Sequence, residues 1–230
     1  MAAHAATQPE PTRIASLLAS ATETVVALGL EDRLVAISHE CDYPPSVLDR
    51  PRVSRPRFDP TGMSSSAIDR AVRAAMDVHG SVYEVDGAQL ERLDPTLIFT
   101  QAVCEVCAVP TPGVRQVVEQ RGMGAQVISL DAHTLADVID SVTVVGRAAG
   151  VAAHASDVVR AMRERVERVR AMVRGRVQPR VLAIEWLDPP FVPGHWVPEM
   201  IEVAGGINLA GRAGERSTQT TWAELGGLDP

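Results

Sequence analysis

The sequence predicts an α/β protein of parallel strands, and three features lead to that class. Arg13–Pro45, RIASLLASATETVVALGLEDRLVAISHECDYPP, reads as strand, helix and second strand running into a polar loop. A long arginine-studded helix follows between Ala152 and Arg174. Beyond it, RVLAIEWLDPPFVPGHWVPEMIEVAGGINLAG opens a second unit of the same kind. The expected architecture is two Rossmann-like lobes joined by one long backbone helix.

The elements follow in order. Ile14–Leu18 is a short apolar strand, and Ser20 or Thr22 can cap a helix carrying Val25, Val26 and Leu28. Gly29 ends that helix, and Leu34–Ile37 is the next strand. In parallel α/β units ligands bind at the carboxyl ends of strands, where SATE and HECDYPP both fall. Arg50–Ser66, rich in proline, arginine and serine, reads as an irregular connection. SSSAIDRAVRAAM then sets Ile68, Val72, Ala75 and Met76 at helical spacing behind a serine cap. A short strand in VYEV, a helix over Gly87–Leu93, a turn at Asp94-Pro95 and a buried strand Thr96–Thr100 come next. Thr111–Gly122 is a helix, Gln126–Leu130 a strand, and Leu135–Ala149 a helix ended by Gly150.

In the Ala152–Arg174 helix, Val159, Met162, Val166, Val169 and Val173 form one stripe. Its length, on the order of 30 Å, suffices to cross between lobes. The same pattern also suits an amphipathic helix packed on a single domain. The unit after it echoes the first. Arg180-Val-Leu-Ala-Ile resembles Arg13-Ile-Ala-Ser-Leu, and Trp222-Ala-Glu-Leu-Gly-Gly-Leu-Asp-Pro repeats the frame of Gly87-Ala-Gln-Leu-Glu-Arg-Leu-Asp-Pro. In the first copy the strand TLIFT follows at once, so the second lobe reads as truncated unless the short match is coincidence. The expected division is a disordered lead-in over 1–12, lobes over 13–150 and 178–230, and the connecting helix over 151–177.

Composition narrows the function. At 230 residues, with 46% hydrophobic and 22% charged, the chain has the make-up of a globular protein with a substantial core. A net charge of −7 argues against a nucleic-acid partner. All 22 basic residues are arginine, as a GC-rich coding bias would give. No run of about 18 apolar residues is present to insert in a membrane. MAAHAATQPEPTR has neither a basic n-region nor an apolar h-region, and no lipobox cysteine is seen, so a cytoplasmic location is expected unless the true start lies upstream. GxSxG, the P-loop, HExxH and a strand-linked GxGxxG are all missing, which argues against the commoner enzyme classes.

Two constellations carry chemistry. His39, Cys41, Cys104 and Cys107 make a Cys₃His set with the count for tetrahedral zinc or a related soft metal. Buried apolar thiols, or a Cys104–Cys107 redox pair, fit the same residues. Ser20, Thr22 and Glu23 lie at a helix start, where they can cap or greet an anionic group. In the second lobe Glu185, Trp186, Phe191 and Trp196 surround a proline-rich strand-end loop and read as wall, with His195 as a lone imidazole beside them.

Taken together, SLLASATETVVALGLEDRLVAISHECDYPP, LERLDPTLIFTQ, the long helix, WLDPPFVPGHW and MIEVAGGINLAG resemble the helical-backbone periplasmic-type binding proteins. The likeness is greatest to the cobalamin-binding members of bacterial ABC importers, in an intracellular-looking subgroup with HECDYP and CEVC. The resemblance implies a non-catalytic binding protein, needing no cofactor, whose lobes close on a corrinoid or another metal chelate and whose partner is an importer permease. It also implies that Asp42 and Tyr43 face the ring, Tyr43 by stacking. The alternative is an intracellular metal-binding or metal-sensing protein that uses the His/Cys set directly.

Overall fold

The structure, a computed structural model, describes residues 12–103, 106 and 108–230. The first lobe runs through β1 (Ile14–Ser16), α1 (Ala19–Ala27), β2 (Leu34–Ile37), β3 (Ser54–Pro56), α2 (Ser65–His79), β4 (Tyr83–Val85), α3 (Gly87–Leu93), β5 (Leu97–Thr100), α4 (Thr111–Gln120), β6 (Gln126–Ser129) and α5 (Leu135–Ala148). After α6 (Ala152–Val173) the second lobe adds β7 (Arg180–Val181), β8 (Trp186–Leu187), β9 (Pro190–Val192), α7 (Val197–Val203), β10 (Ile207–Asn208), β11 (Thr218–Gln219) and α8 (Trp222–Gly226). The α/β fold expected from the sequence is therefore present.

Four parallel strands in the order β2-β1-β5-β6 form the first lobe's sheet. Alternation sorts their side chains to two faces. Ile14, Leu34, Leu97 and Phe99 join Val25, Leu28, Val142 and Val145 under α1, α5 and α6, while Ala15, Ala36 and Ile98 join Leu90 and Val114 under α3 and α4. Residues 54–56, expected as part of an irregular connection, are strand β3, because they find an antiparallel partner in β4.

Helix α6 lies along α5, and the contact is close because residue 146 is glycine. A Cβ there would collide with Ala155 Cβ. Gly150, at φ +76°, then makes the left-handed turn that reverses α5 into α6, as its place after the helix suggested.

The internal repeat is carried by backbone and side chain alike. β7 and β10 pair in parallel across α7, as β1 and β2 do across α1. Arg13 sends Nη2 to Leu93 O (2.7 Å) and Nε to Asp94 O (3.1 Å) at the end of α3. Arg180 sends Nη2 to Leu228 O (2.5 Å) and Nε to Asp229 O (2.7 Å) at the end of α8. Asp94 and Asp229 both hold left-handed backbone, at φ 44° and 48°. Each guanidinium thus ties down two successive carbonyls at or just past a helix end.

Replacing Arg13 with Ala leaves those carbonyls to solvent and lowers stability by about 1–2 kcal/mol. Arg13→Lys recovers little of it, since one ammonium cannot reproduce a fork across two carbonyls. Urea unfolding of the three proteins measures both effects.

Candidate functional site

Parallel pairing places the loops after β1, β2, β5 and β6 at one edge of the sheet. The expected cap of α1 is absent. Its N-cap is Leu18, with no side-chain bond, and the Thr22 hydroxyl turns inward. It donates to Ser16 Oγ at 2.8 Å and lies 3.0 Å from Cys41 Sγ. Ser38 Oγ is 3.4 Å from the same sulfur, and Ser16, Thr22 and Cys41 are all fully buried. These residues form a polar seam that ties α1 to the polar loop after β2. Thr22 and Cys41 are inside it, while Ser20 and Glu23 stand exposed on α1.

His39 points elsewhere. Its Nδ1 is 2.8 Å from Ser54 Oγ on β3, its ring centroid lies 4.7 Å from that of Tyr83 on β4, and Glu40 Oε1 is 3.1 Å from Nε2. The Tyr83 hydroxyl donates to Val106 O at 2.9 Å, so this cluster reaches the loop after β5. Burial, more than the opposing pull of Glu40, holds the His39 imidazole below its ordinary pKa, and Arg52 adds to the depression. Burial likewise pushes the Tyr83 phenol up. Cys104 and Cys107 lie outside the described residues. Among the described residues, no three His, Cys, Asp or Glu side chains gather as a metal site. Asp42 and Tyr43 are exposed at the tip of the loop, Tyr43 by 60%.

The second lobe presents a small antiparallel sheet, β11-β9-β8. Trp186 and Phe191 pair across β8 and β9 and are half-buried, the Trp186 indole donates to Asp188 O at 3.0 Å, and Glu185 is exposed beside them. His195 has φ 51°, a conformation fixed by its own amide donating to Glu215 O (2.6 Å) and its carbonyl accepting from Gly214 N (2.9 Å). Its ring sits 5.9 Å from Trp196 and 6.1 Å from His133, which follows β6 in the first lobe. Leu135 N donates to Glu199 Oε2 at 2.5 Å nearby, so the strand-end loops of the two lobes meet. Burial first, then His133 and Arg216, lowers the His195 pKa against the raising effect of Glu185.

The fold has known counterparts. The chain is 24% identical to the vitamin B12-binding protein of Vibrio cholerae over 200 residues, covering 86% of this chain and 60% of that one. The crystal structure of that organism's periplasmic vitamin B12-binding protein superposes with a TM-score of 0.65 at 21% identity, covering 95% of this chain and 73% of that one. A periplasmic heme-binding protein from Roseiflexus sp. RS-1 superposes at 0.70 with 20% identity, covering 96% and 74%. The chain shares the fold of the helical-backbone periplasmic binding proteins. It is homologous to the vitamin B12-binding protein over the matched residues and spans about 60% of that protein's length. No family model matches it.

These matches correct one expectation. The cytoplasmic location inferred from the first residues is overturned, because the structural relatives are periplasmic proteins. Among the described residues no helix is long and apolar enough to cross a membrane.

Ser54 carries no signal in the sequence, Tyr83 stands there as one of a few aromatics, and His133 reads as surface. Each acts through a partner at least 15 residues away, and His133 showed no spacing pattern at all.

Because His39 and His195 are both depressed in the folded protein, the unfolded chain takes up protons first on acidification. Stability is therefore full above about pH 6.5 and declines as pH falls from there toward the lowered values. Urea midpoints at pH 7.5, 6.5 and 5.5 show this decline, and His39→Asn makes it shallower.

Proposed function

We propose that this chain is the substrate-binding component of an ABC-type importer, acting in the periplasm, whose lobes close without catalysis on a flat metal chelate. The ligand favoured is a corrinoid of the cobalamin type. The observation that carries this reading is the repeated strand–helix–strand frame, locked by matching arginines and joined by α6, with strand-end loops from both halves meeting. The match to a vitamin B12-binding protein agrees with it.

In this reading Tyr43 and Asp42 come from the first lobe, and Trp186, Phe191, Trp196 and Glu185 from the second. Large aromatic faces stack on a macrocycle, and the few carboxylates orient its polar side chains. Ser20 and Glu23 contribute from the exposed start of α1, while Thr22 supports the loop from behind. A permease of the importer takes the ligand when the lobes part.

Cyanocobalamin added to the purified protein is expected to shift its absorbance and saturate near one per chain. Tyr43→Ala and Trp186→Ala each weaken binding about tenfold, the worth of one lost stacking face, with unchanged circular dichroism. If neither a corrinoid nor haemin binds, the reading is wrong.

A further inference from the structure

The two lobes repeat one frame but differ in length on the side that carries the loops. Between β2 and α3 the first lobe runs through residues 38–86, whereas residues 209–221 alone separate β10 from α8. The extra length folds as the β3–β4 ribbon with α2 carried between its strands. The frame does not require it, since the second lobe forms the same strand pair and the same arginine clamp without it.

The base of this excursion is gripped by the candidate site. Ser54 on β3 holds His39, and Tyr83 on β4 lies against the His39 ring while bonding Val106 O. Its far side reaches the other lobe. Arg73 on α2 sends Nη2 to Gln219 Oε1 on β11 at 3.0 Å, and Asp69, one turn earlier, holds the same guanidinium through Nε (2.8 Å) and Nη2 (3.1 Å). β11 pairs with β9, which carries Phe191. Among the described residues the other hydrogen bond joining the lobes is Leu135 N to Glu199, at α5 and α7.

We propose that α2 is a strap that holds the lobes together from the loop side, with Asp69, Arg73 and Gln219 as its latch. The proposal rests on the chain being a two-lobed binding protein. Asp69 orients the guanidinium before the lobes meet, so that closing costs little side-chain freedom, and Gln219 receives it on the strand next to the aromatic wall. The latch is a single charge-assisted bond with Arg73 more than half exposed, so its effect is modest, about two- to fivefold on lobe opening and ligand exit.

The test uses spin labels on p-acetylphenylalanine at Arg115 and Arg212, one in each lobe, which leaves the cysteines untouched. Electron–electron distances in the ligand-free protein are expected to gain a longer population in Arg73→Ala and in Gln219→Ala. The double variant should go no further than either single one, because both remove the same bond. Distances matching the unsubstituted protein in both single variants, or shifts that simply add, overturn the strap. Cyanocobalamin is expected to leave either variant two- to fivefold faster. Failure of cyanocobalamin and haemin to bind any of the proteins removes the ligand reading, while the label distances still decide the strap.

Discussion

Because β1 pairs in parallel with both β2 and β5, each crossover returns the chain to the same end of the sheet before the next strand begins. All helices are thereby pushed to the faces and all strand-end loops to one edge. The arginine clamps act at the opposite edge. Arg13 and Arg180 each precede or open a first strand and bind the end of a helix that comes later in the same lobe. They fix where the strands start, and parallel geometry then fixes where their polar loops emerge. The buried seam of Ser16, Thr22 and Cys41 finishes the work at the loop side, by fastening α1 to the chain after β2.

Much of this was legible in the chain. Long amphipathic stretches such as 135–149 and 152–174 gave helices at nearly their true limits, since a 3.6-residue stripe survives any detail of packing. The echo of Leu-Asp-Pro was equally readable, and the structure gives it a physical reason. The aspartate in both copies takes left-handed backbone, and the carbonyls beside it receive the guanidinium.

What was not legible depended on distant partners. Thr22 has the place of a helix cap in the sequence, yet its hydroxyl is drawn to Ser16 and the Cys41 sulfur, and no local pattern announces that competition. His39 and Cys41 look like a paired ligand set two residues apart. The fold gives them different neighbours, Ser54 and Tyr83 for the imidazole, Thr22 and Ser38 for the thiol. β3 was hidden because Pro51, Pro56 and alternating arginines suggest a loop, and only the ribbon partner β4 makes it a strand. Proximity in sequence therefore understated the ribbon, and it did not show that neighbours two residues apart would take separate partners.

The joint between the lobes is unequal on its two sides. At α7 the second lobe meets the first through Glu199, which bonds the start of α5, and a cavity lined by Ile139, Val166 and Val203 lies between α5, α6 and α7. Beside α2 the lobes are joined by the exposed bond of Arg73 to Gln219, and the loop after β6 also meets the second lobe, with the His133 and His195 rings 6.1 Å apart. In the strap proposal, opening of the lobes breaks the Arg73–Gln219 bond and turns about the connection through α6. That bond can be varied without disturbing either core, since Arg73 and Gln219 are both exposed and belong to neither.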